Sequence, residues 1–261
     1  MARDPDPAAA APSARPPAKL RADQLLVDRG LVESRTRAQA LILAGKVFSG
    51  EQRIEKPGQL LPTDRPLELR GQDHPWVSRG GVKLAHGLAH FGLSPEGRTC
   101  LDIGASTGGF TDVLLHHGAA RVHAVDVGHG QLDWRLRNDP RVAVLERVNA
   151  RYLDATQVPE PIGALVCDAS FIGLATVLPA GLALCAPGAW AVALIKPQFE
   201  AGPALAKGGV VRDPAVHRAV CDRVAAWWAA LPGWRVLGVE PSPLLGPEGN
   251  REFLIGARRE A

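Results

Sequence analysis

Four charged residues stand where strands or turns are expected to end: Lys83, Asp168, Lys196 and Glu252. Lys196 is the most unusual, because it follows an apolar run and precedes a proline, which favours an extended backbone. A lysine that merely reaches out from a strand edge is the alternative, but lysine is rarely buried unpaired. A lysine amine can take a proton near neutral pH when partial burial and a second cation lower its pKa. These residue types therefore fit the removal of a proton from a poor nucleophile.

The stretch LDIGASTGGF, residues 101–110, is a candidate ligand loop, because glycines let a ligand approach the backbone closely. Its glycines do not fit the G-x-G-x-x-G spacing of dinucleotide sites, and no Lys-Ser/Thr pair follows them as in a P-loop. The remaining pattern, D-x-G-x-x-x-G-G, is similar to the loop of S-adenosylmethionine-dependent methyltransferases. That resemblance implies a set of cofactor-binding residues: Asp102, Gly104, Ser106, Gly108, Gly109 and Phe110.

Two further strand ends extend this candidate site. Asp126 ends the strand in VHAVDVG, where an acidic residue can accept both hydroxyls of a ribose, although a lone aspartate there is often only a helix cap. Asn149 and Ala150 follow the next strand and are expected to contact adenine through a side-chain amide and a backbone N–H. Gly104 is expected to turn the backbone under the ligand, while Gly108 and Gly109 leave room for its methionine part.

The elements that must position these residues alternate along the chain from residue 81. Seven strand-like segments, the first in TCLDIGA and the last in EFLIGAR, are separated by helical stretches. This alternation predicts an α/β fold with a doubly wound, mostly parallel sheet, whose ligands bind at the carboxyl ends of the strands. The expected domain is Rossmann-like, with seven strands, and is preceded by a small α+β domain.

The small domain precedes this fold and is locally basic. Two short helices, in RADQLLVDRGL and SRTRAQALILAG, are followed by short strands in KVFSG, EQRIEKPGQLL and DRPLELR. This order, and the words SRTRAQALILAGKVFSG, resemble the S4 RNA-binding domain. The resemblance implies that Arg35, Arg37 and Lys46 contact RNA phosphates. An ordinary solvated helix face is the alternative.

Composition narrows the class of protein. The 261 residues are 46% hydrophobic and 22% charged, which is ordinary for a globular protein. No apolar run reaches the roughly 18 to 20 residues of a membrane span, and the N-terminus does not resemble a secretory signal. We therefore expect a cytoplasmic protein without a membrane partner, and a disordered Pro/Ala-rich tail over residues 1–18. The four cysteines lack zinc-ligand spacing, so no metal site is expected.

The order Lys83, Asp168, Lys196, Glu252 resembles the Lys-Asp-Lys-Glu tetrad of FtsJ-type RNA 2′-O-methyltransferases. Together with VSRGGVKL, LIKPQFE, KGGVVRDP and GPEGNREFL behind an S4-type domain, it is similar to the TlyA family, also labelled hemolysin A. The resemblance implies S-adenosylmethionine-dependent 2′-O-methylation of cytidines in ribosomal RNA, with Lys196 as the base. It divides the chain into an RNA-binding domain, a linker and a methyltransferase domain: 19–72, 73–80 and 81–261.

Three other functions are weighed against this one. A membrane-active hemolysin is disfavoured because no export signal, spanning segment or strongly basic amphipathic helix is present. A non-catalytic factor that binds ribosomal RNA is disfavoured because all four charged residues are present. A nucleotide-dependent oxidoreductase is disfavoured by the glycine spacing.

Overall fold

The computed structural model describes residues 18–32, 34–70, 74–202 and 204–260. They form two compact units, divided between Asp73 and His74. The tail expected at the N-terminus lies outside the described residues, apart from residue 18.

The smaller unit is an α+β domain in which two helices pack beside two small sheets. One sheet pairs the first and fourth strands, and the other has the third, second and fifth strands in that order. Leu25 and Leu26 on the first helix meet Ala38 and Ile42 on the second in a small buried core. The elements are β1 (Lys19–Arg21), α1 (Ala22–Asp28), α2 (Arg35–Leu43), β2 (Val47–Ser49), β3 (Gln52–Arg53), β4 (Leu60–Pro62) and β5 (Glu68–Leu69).

Local sequence determines where these elements start and stop. The backbone N–H of Arg37 donates to Ser34 Oγ at 3.2 Å, which caps α2 at its N-terminus. Gly45 follows the helix with a φ of 69°, a conformation that favours glycine. The expectation of one strand across EQRIEKPGQLL was wrong. A turn in which Gln59 N–H donates to Lys56 O splits it into β3 and β4, which belong to different sheets.

The larger unit is built on a seven-stranded sheet with helices on both faces, which confirms the predicted fold class. The sheet order is β11-β12-β10-β9-β6-β7-β8. Its strands are β6 (Thr99–Ile103), β7 (Arg121–Asp126), β8 (Val142–Glu146), β9 (Ile162–Cys167), β10 (Cys185–Ile195), β11 (Trp234–Pro241) and β12 (Phe253–Arg259). Its helices are α3 (Gly80–Phe91), α4 (Gly109–His116), α5 (Trp134–Arg137), α6 (Leu174–Ala183), α7 (Pro197–Glu200) and α8 (Pro214–Ala229).

One strand runs against the others. β12 pairs antiparallel with both β10 and β11, whereas the strands β8, β7, β6, β9 and β10 pair in parallel with one another. Because β12 is antiparallel, its first residue lies at the same edge of the sheet as the last residues of the parallel strands. Buried residues of α3 and α4 pack on one face of the sheet, and those of α6 and α8 pack on the other.

Trp76 lies in the linker expected over residues 73–80, and its side chain belongs to the core of the larger unit. Its ring lies edge-on to His116, and a Cβ added to Gly81 would come within 2.4 Å of it. The next residue, Val77, donates its backbone N–H to Asp112 Oδ2 at 2.8 Å. The residues before α3 are therefore fastened to α4 by both an aromatic contact and a hydrogen bond.

Candidate active site

Two adjoining cavities lie at the carboxyl ends of the parallel strands, where α/β sheets bind ligands. The first has a volume of about 560 Å³ and is lined by all four of the charged residues singled out in the sequence. The second has a volume of about 460 Å³ and is lined by Asp126, Asn149 and Ala150. Gly104 and Ser106 of the glycine loop line both, so the loop separates the two spaces.

Lys196 lies directly after β10, and Asp168 directly after β9, its parallel neighbour. The Lys196 ammonium is 2.7 Å from Asp168 Oδ1. It also donates to Ser170 Oγ at 2.8 Å and to the Asp168 backbone oxygen at 3.2 Å. Only 8% of Lys196 is exposed. The amine is thus held by three oxygen atoms at the wall of the first cavity.

Lys83 and Glu252 form a second pair in the same cavity. Lys83 projects from the first turns of α3, and its Nζ is 2.5 Å from Glu252 Oε2. Glu252 immediately precedes β12, and the antiparallel direction of that strand brings it to this edge. Its Oε1 atom is buried without a hydrogen-bond partner among the described residues. A Cβ at position 246 would lie 2.2 Å from that oxygen, so Gly246 makes room for the carboxylate.

The glycines of the loop act partly as expected and partly through packing. Gly104 has a φ of 80°, and a Cβ there would lie 3.0 Å from the backbone of Ala169. Gly108 lines neither cavity, and a Cβ there would lie 2.3 Å from Leu136. At Gly109 a Cβ would meet Ser78 Oγ at 2.3 Å. The missing side chains of both later glycines therefore let α4 pack closely, and the expectation that they also make room for a ligand stays a prediction, with Gly109 lining the first cavity.

Asp102 and Phe110, also predicted as cofactor contacts, differ in position. Phe110 is buried and lines the first cavity. Asp102 is fully buried beneath the loop and lines neither cavity. Its Oδ2 accepts a hydrogen bond from Thr111 Oγ1 at 2.7 Å. Burial raises the pKa of Asp102 to about 7, although that hydrogen bond acts in the opposite direction.

Asp126 bridges two backbone segments at the second cavity. Its Oδ2 accepts from Ser106 N–H at 2.8 Å, and its Oδ1 from Gly128 N–H at 2.7 Å. A carboxylate has about four acceptor positions, so two remain for a ligand. Asn149 accepts from Arg151 N–H through its Oδ1 at 3.1 Å, and its neighbour Ala150 is buried.

Two residues of the site had not been singled out in the sequence. Ser170 contacts the Lys196 amine, as described above. Phe171 is 89% exposed with a φ of 65°, an unfavourable combination for a large side chain. It lines both cavities, and its ring centroid is 4.9 Å from that of Phe199. The available signal in the sequence was a phenylalanine four residues after the end of β9, in the segment CDASFI.

The three basic residues that are predicted to contact RNA phosphates, all in the smaller unit, differ in environment. Arg35 is 3.3 Å from Asp23 Oδ2 and keeps 52% of its side chain exposed. Asp23 is buried, and hydrogen bonds led by that from Arg21 hold its pKa well below the usual range. Arg37 and Lys46 are exposed. Arg35 and Arg37 lie in the first turn of α2, and Lys46 lies three residues after the end of that helix.

The comparisons with known proteins agree with this architecture. The model of the FtsJ-like methyltransferase family matches residues 76–259, and that of the S4 domain matches residues 20–64. A solved structure described as a hemolysin of Streptococcus thermophilus is 42% identical, with a TM-score of 0.71 over 95% of this chain and 90% of that one. No helix among the described residues is long and apolar enough to cross a membrane.

Two curated relatives show more closely which proteins this chain is similar to. The 16S/23S rRNA (cytidine-2′-O)-methyltransferase TlyA of Mycobacterium tuberculosis is 47% identical, over 93% of this chain and 91% of its own length. Hemolysin A of Brachyspira hyodysenteriae is 40% identical, over 90% of this chain and 98% of its own length. The chain belongs to the FtsJ-like methyltransferase family and, within it, to the group of S4-containing proteins that includes TlyA.

Proposed function

We propose that this protein transfers a methyl group from S-adenosylmethionine to the ribose 2′-hydroxyl of cytidines in ribosomal RNA. The observation that carries the proposal is the juxtaposition of two buried lysines, each paired with a carboxylate, with the glycine loop at one edge of the sheet. The choice of substrate is supported by the TlyA relative, a 16S/23S rRNA (cytidine-2′-O)-methyltransferase. We further propose that residues 19–72 bind RNA, 81–261 carry out the transfer and 73–80 connect them.

The second cavity suits the adenosine part of the donor. Its volume of about 460 Å³ lies in the usual range for small-molecule sites. Apolar side chains supply a surface for adenine, and the Asp126 carboxylate keeps acceptor positions for both ribose hydroxyls. Asn149 and Ala150 contact the adenine edge. Within the loop, Gly104, Ser106, Gly109 and Phe110 border the path from this cavity to the first.

The first cavity holds the reacting groups. When bound, S-adenosylmethionine would supply a methyl group on a positively charged sulfur, and the methyl–sulfur bond would break to leave a neutral thioether. Lys196, in its neutral form, takes the proton of the 2′-hydroxyl as the oxygen attacks, while Asp168 and Ser170 hold the amine in place. Lys83 and Glu252 keep a second positive charge nearby and position the acceptor ribose. Most of the remaining catalysis is orientation of an in-line attack.

The test is to map 2′-O-methyl groups on ribosomal RNA after incubation of each purified subunit with the protein and S-adenosylmethionine. We expect new modification at cytidines of large-subunit RNA, and the same assay on the small subunit decides whether both are substrates. Absence of any new 2′-O-methyl group would overturn the proposal. Leakage of liposomes caused by the pure protein would favour the hemolysin function instead.

A further inference from the structure

We propose that His86, His90 and Glu240 form a binding site for a divalent transition-metal ion of the zinc type. The two histidines lie one turn apart on α3, and Glu240 lies on the edge strand β11. One nitrogen of each histidine and one carboxylate oxygen lie within 4.8 Å of one another. None of the three residues lines either cavity of the candidate active site.

The spacing of the donor atoms fits a tetrahedral ion. With metal–ligand bonds of about 2.0 to 2.1 Å, neighbouring donors around zinc stand roughly 3.3 Å apart. His86 Nε2 lies 3.3 Å from Glu240 Oε1, and His90 Nε2 lies 3.7 Å from Glu240 Oε2. A small rotation of the carboxylate would place one of its oxygens at the ion. Three protein ligands leave the fourth position to water, as in open zinc sites.

The ligands are supported by rigid neighbours. The imidazole rings of His86 and His90 are stacked, with centroids 6.1 Å apart. The ring of Phe91 meets His90 edge-on at 4.9 Å. Phe91 is itself fixed against Gly256 of β12, where a Cβ would come within 2.8 Å of its ring. The contact with Phe91 therefore restricts the His90 ring before an ion binds.

The chemistry of the ligands selects the ion. Two imidazoles and a carboxylate suit zinc and its neighbours in the first transition series, whereas magnesium prefers oxygen ligands. All four cysteines are buried, so thiols do not compete for the ion in the folded chain. The absence of cysteine spacing led to the expectation that no metal binds, but it does not bear on a pair of histidines four residues apart. An ion here would tie α3, which carries Lys83, to β11.

Isothermal titration calorimetry of the metal-free full chain with Zn²⁺ alone tests the site. We expect saturable binding of one ion per chain and no comparable heat with Mg²⁺. His86→Ala and His90→Ala should each weaken Zn²⁺ binding by about tenfold or more, since each removes a direct ligand. Zn²⁺ should raise the melting temperature of the native protein and not that of either variant, because only a folded site binds the ion.

The matched control is His129→Ala. His129 is also paired with a carboxylate, that of Glu146 at 2.7 Å, but it belongs to no cluster of three ligands among the described residues. This variant should bind Zn²⁺ like the native protein. Should an alanine variant unfold, His86→Gln and His90→Gln provide the same test with a polar side chain kept. Native affinity in the His86 or His90 variants, or the absence of saturable Zn²⁺ binding, would overturn the proposal.

Discussion

The basic residues proposed to act in the two units of the chain lie in opposite environments. In the larger unit Lys83 and Lys196 are only 8% exposed, and each has a carboxylate within 2.7 Å. In the smaller unit Arg37 and Lys46 are exposed. Buried charges must be paired and therefore occupy fixed positions, whereas exposed charges are solvated and their interactions are screened by salt. Substitutions in the larger unit should therefore change rates and stability, and those in the smaller unit should change salt-dependent binding.

The largest effect is expected at Lys196. Lys196→Met removes the amine and keeps most of the side-chain volume. It should lower single-turnover methyl transfer by about 10² to 10⁴, the usual range for a lost general base. Donor affinity, measured by calorimetry, should stay near that of the native protein, because Lys196 lies at the first cavity and not at the second.

Lys196→Arg separates proton removal from electrostatic stabilisation. Arginine keeps the positive charge but stays protonated in proteins, so it cannot accept the proton. Its rate should be as low as that of the methionine variant. An active arginine variant would show that position 196 needs a cation, and a methionine variant with a near-native rate would remove the base from the mechanism altogether.

Lys83 tests the cost of leaving a buried charge unpaired. Lys83→Met leaves Glu252, which is 2% exposed, without its partner. Breaking a buried ion pair on one side typically costs about 3 to 5 kcal/mol of stability. Urea denaturation should show a loss of this order, and the double variant Lys83→Met, Glu252→Gln should regain most of it. Equal stabilities of the single and double variants would contradict the pairing.

Asp102 should make the stability of the larger unit depend on pH. Burial raises its pKa from 3.8 to about 7 in the folded chain, so the unfolded chain releases the proton first. The free energy of unfolding should therefore fall as pH rises from about 4 to about 7. Asp102→Asn, which can still accept from Thr111, should lack this fall.

The measurement compares urea denaturation of the native protein and Asp102→Asn at pH 5 and pH 8. Relative to the variant, the free energy of unfolding of the native protein should fall by about 2 to 4 kcal/mol between these pH values. This range follows from about 1.36 kcal/mol for each pKa unit of the shift. The variant corrects for all other titrating groups that the two chains share. An equal difference at both pH values would show that Asp102 does not titrate in this range.

Asp126 should affect donor binding without affecting the base. Asp126→Ala removes a carboxylate acceptor, and hydrogen bonds to charged groups contribute about 1.5 to 3 kcal/mol each. Because the same carboxylate also orders the N–H groups of Ser106 and Gly128, Asp126→Asn is the milder companion variant. Calorimetry should give donor affinity falling from native to Asn to Ala. Unchanged affinity in Asp126→Ala would assign this residue to loop structure alone.

The sequence predicted the strands and their ends well, because apolar runs bounded by glycine, proline and polar residues are local signals. It therefore located Asp126, Asp168 and Lys196. It could not predict which lysine pairs with which carboxylate. Lys83 and Glu252 lie 169 residues apart, and only the antiparallel course of β12 brings them together.

Packing contacts between elements could not be predicted from the sequence either. The missing side chain of Gly108 faces Leu136, a residue of α5 that no local pattern links to the glycine loop. Asp102 looks like a ligand contact in the motif, yet it is fully buried and accepts a hydrogen bond from Thr111 of α4. In the smaller unit a single turn at Lys56 divides an apparent strand into two, and the second part belongs to a different sheet from the first.

Substitutions of the basic residues in the smaller unit should have the smallest effects, and these effects should appear only in the salt dependence of RNA binding. Each phosphate contact contributes about 0.7 to 0.9 to the slope of log affinity against log salt concentration. The Arg35 guanidinium also holds the buried Asp23, so its loss would disturb the fold as well as the surface. Arg37 has its backbone N–H on the Ser34 cap and its side chain exposed, which makes Arg37→Gln the cleaner substitution.

The affinity of the full chain for ribosomal RNA should therefore be measured across a salt series. The proteins to compare are the native chain, Arg37→Gln and the triple variant Arg35→Gln, Arg37→Gln, Lys46→Gln. The slope should become shallower by the contribution of about one phosphate contact in the single variant and of up to three phosphate contacts in the triple variant. Donor affinity should not change in either, because these residues lie outside the unit that carries the two cavities. An unchanged slope in the triple variant would make this helix face an ordinary solvated surface, and the RNA contacts would have to be sought elsewhere on the chain.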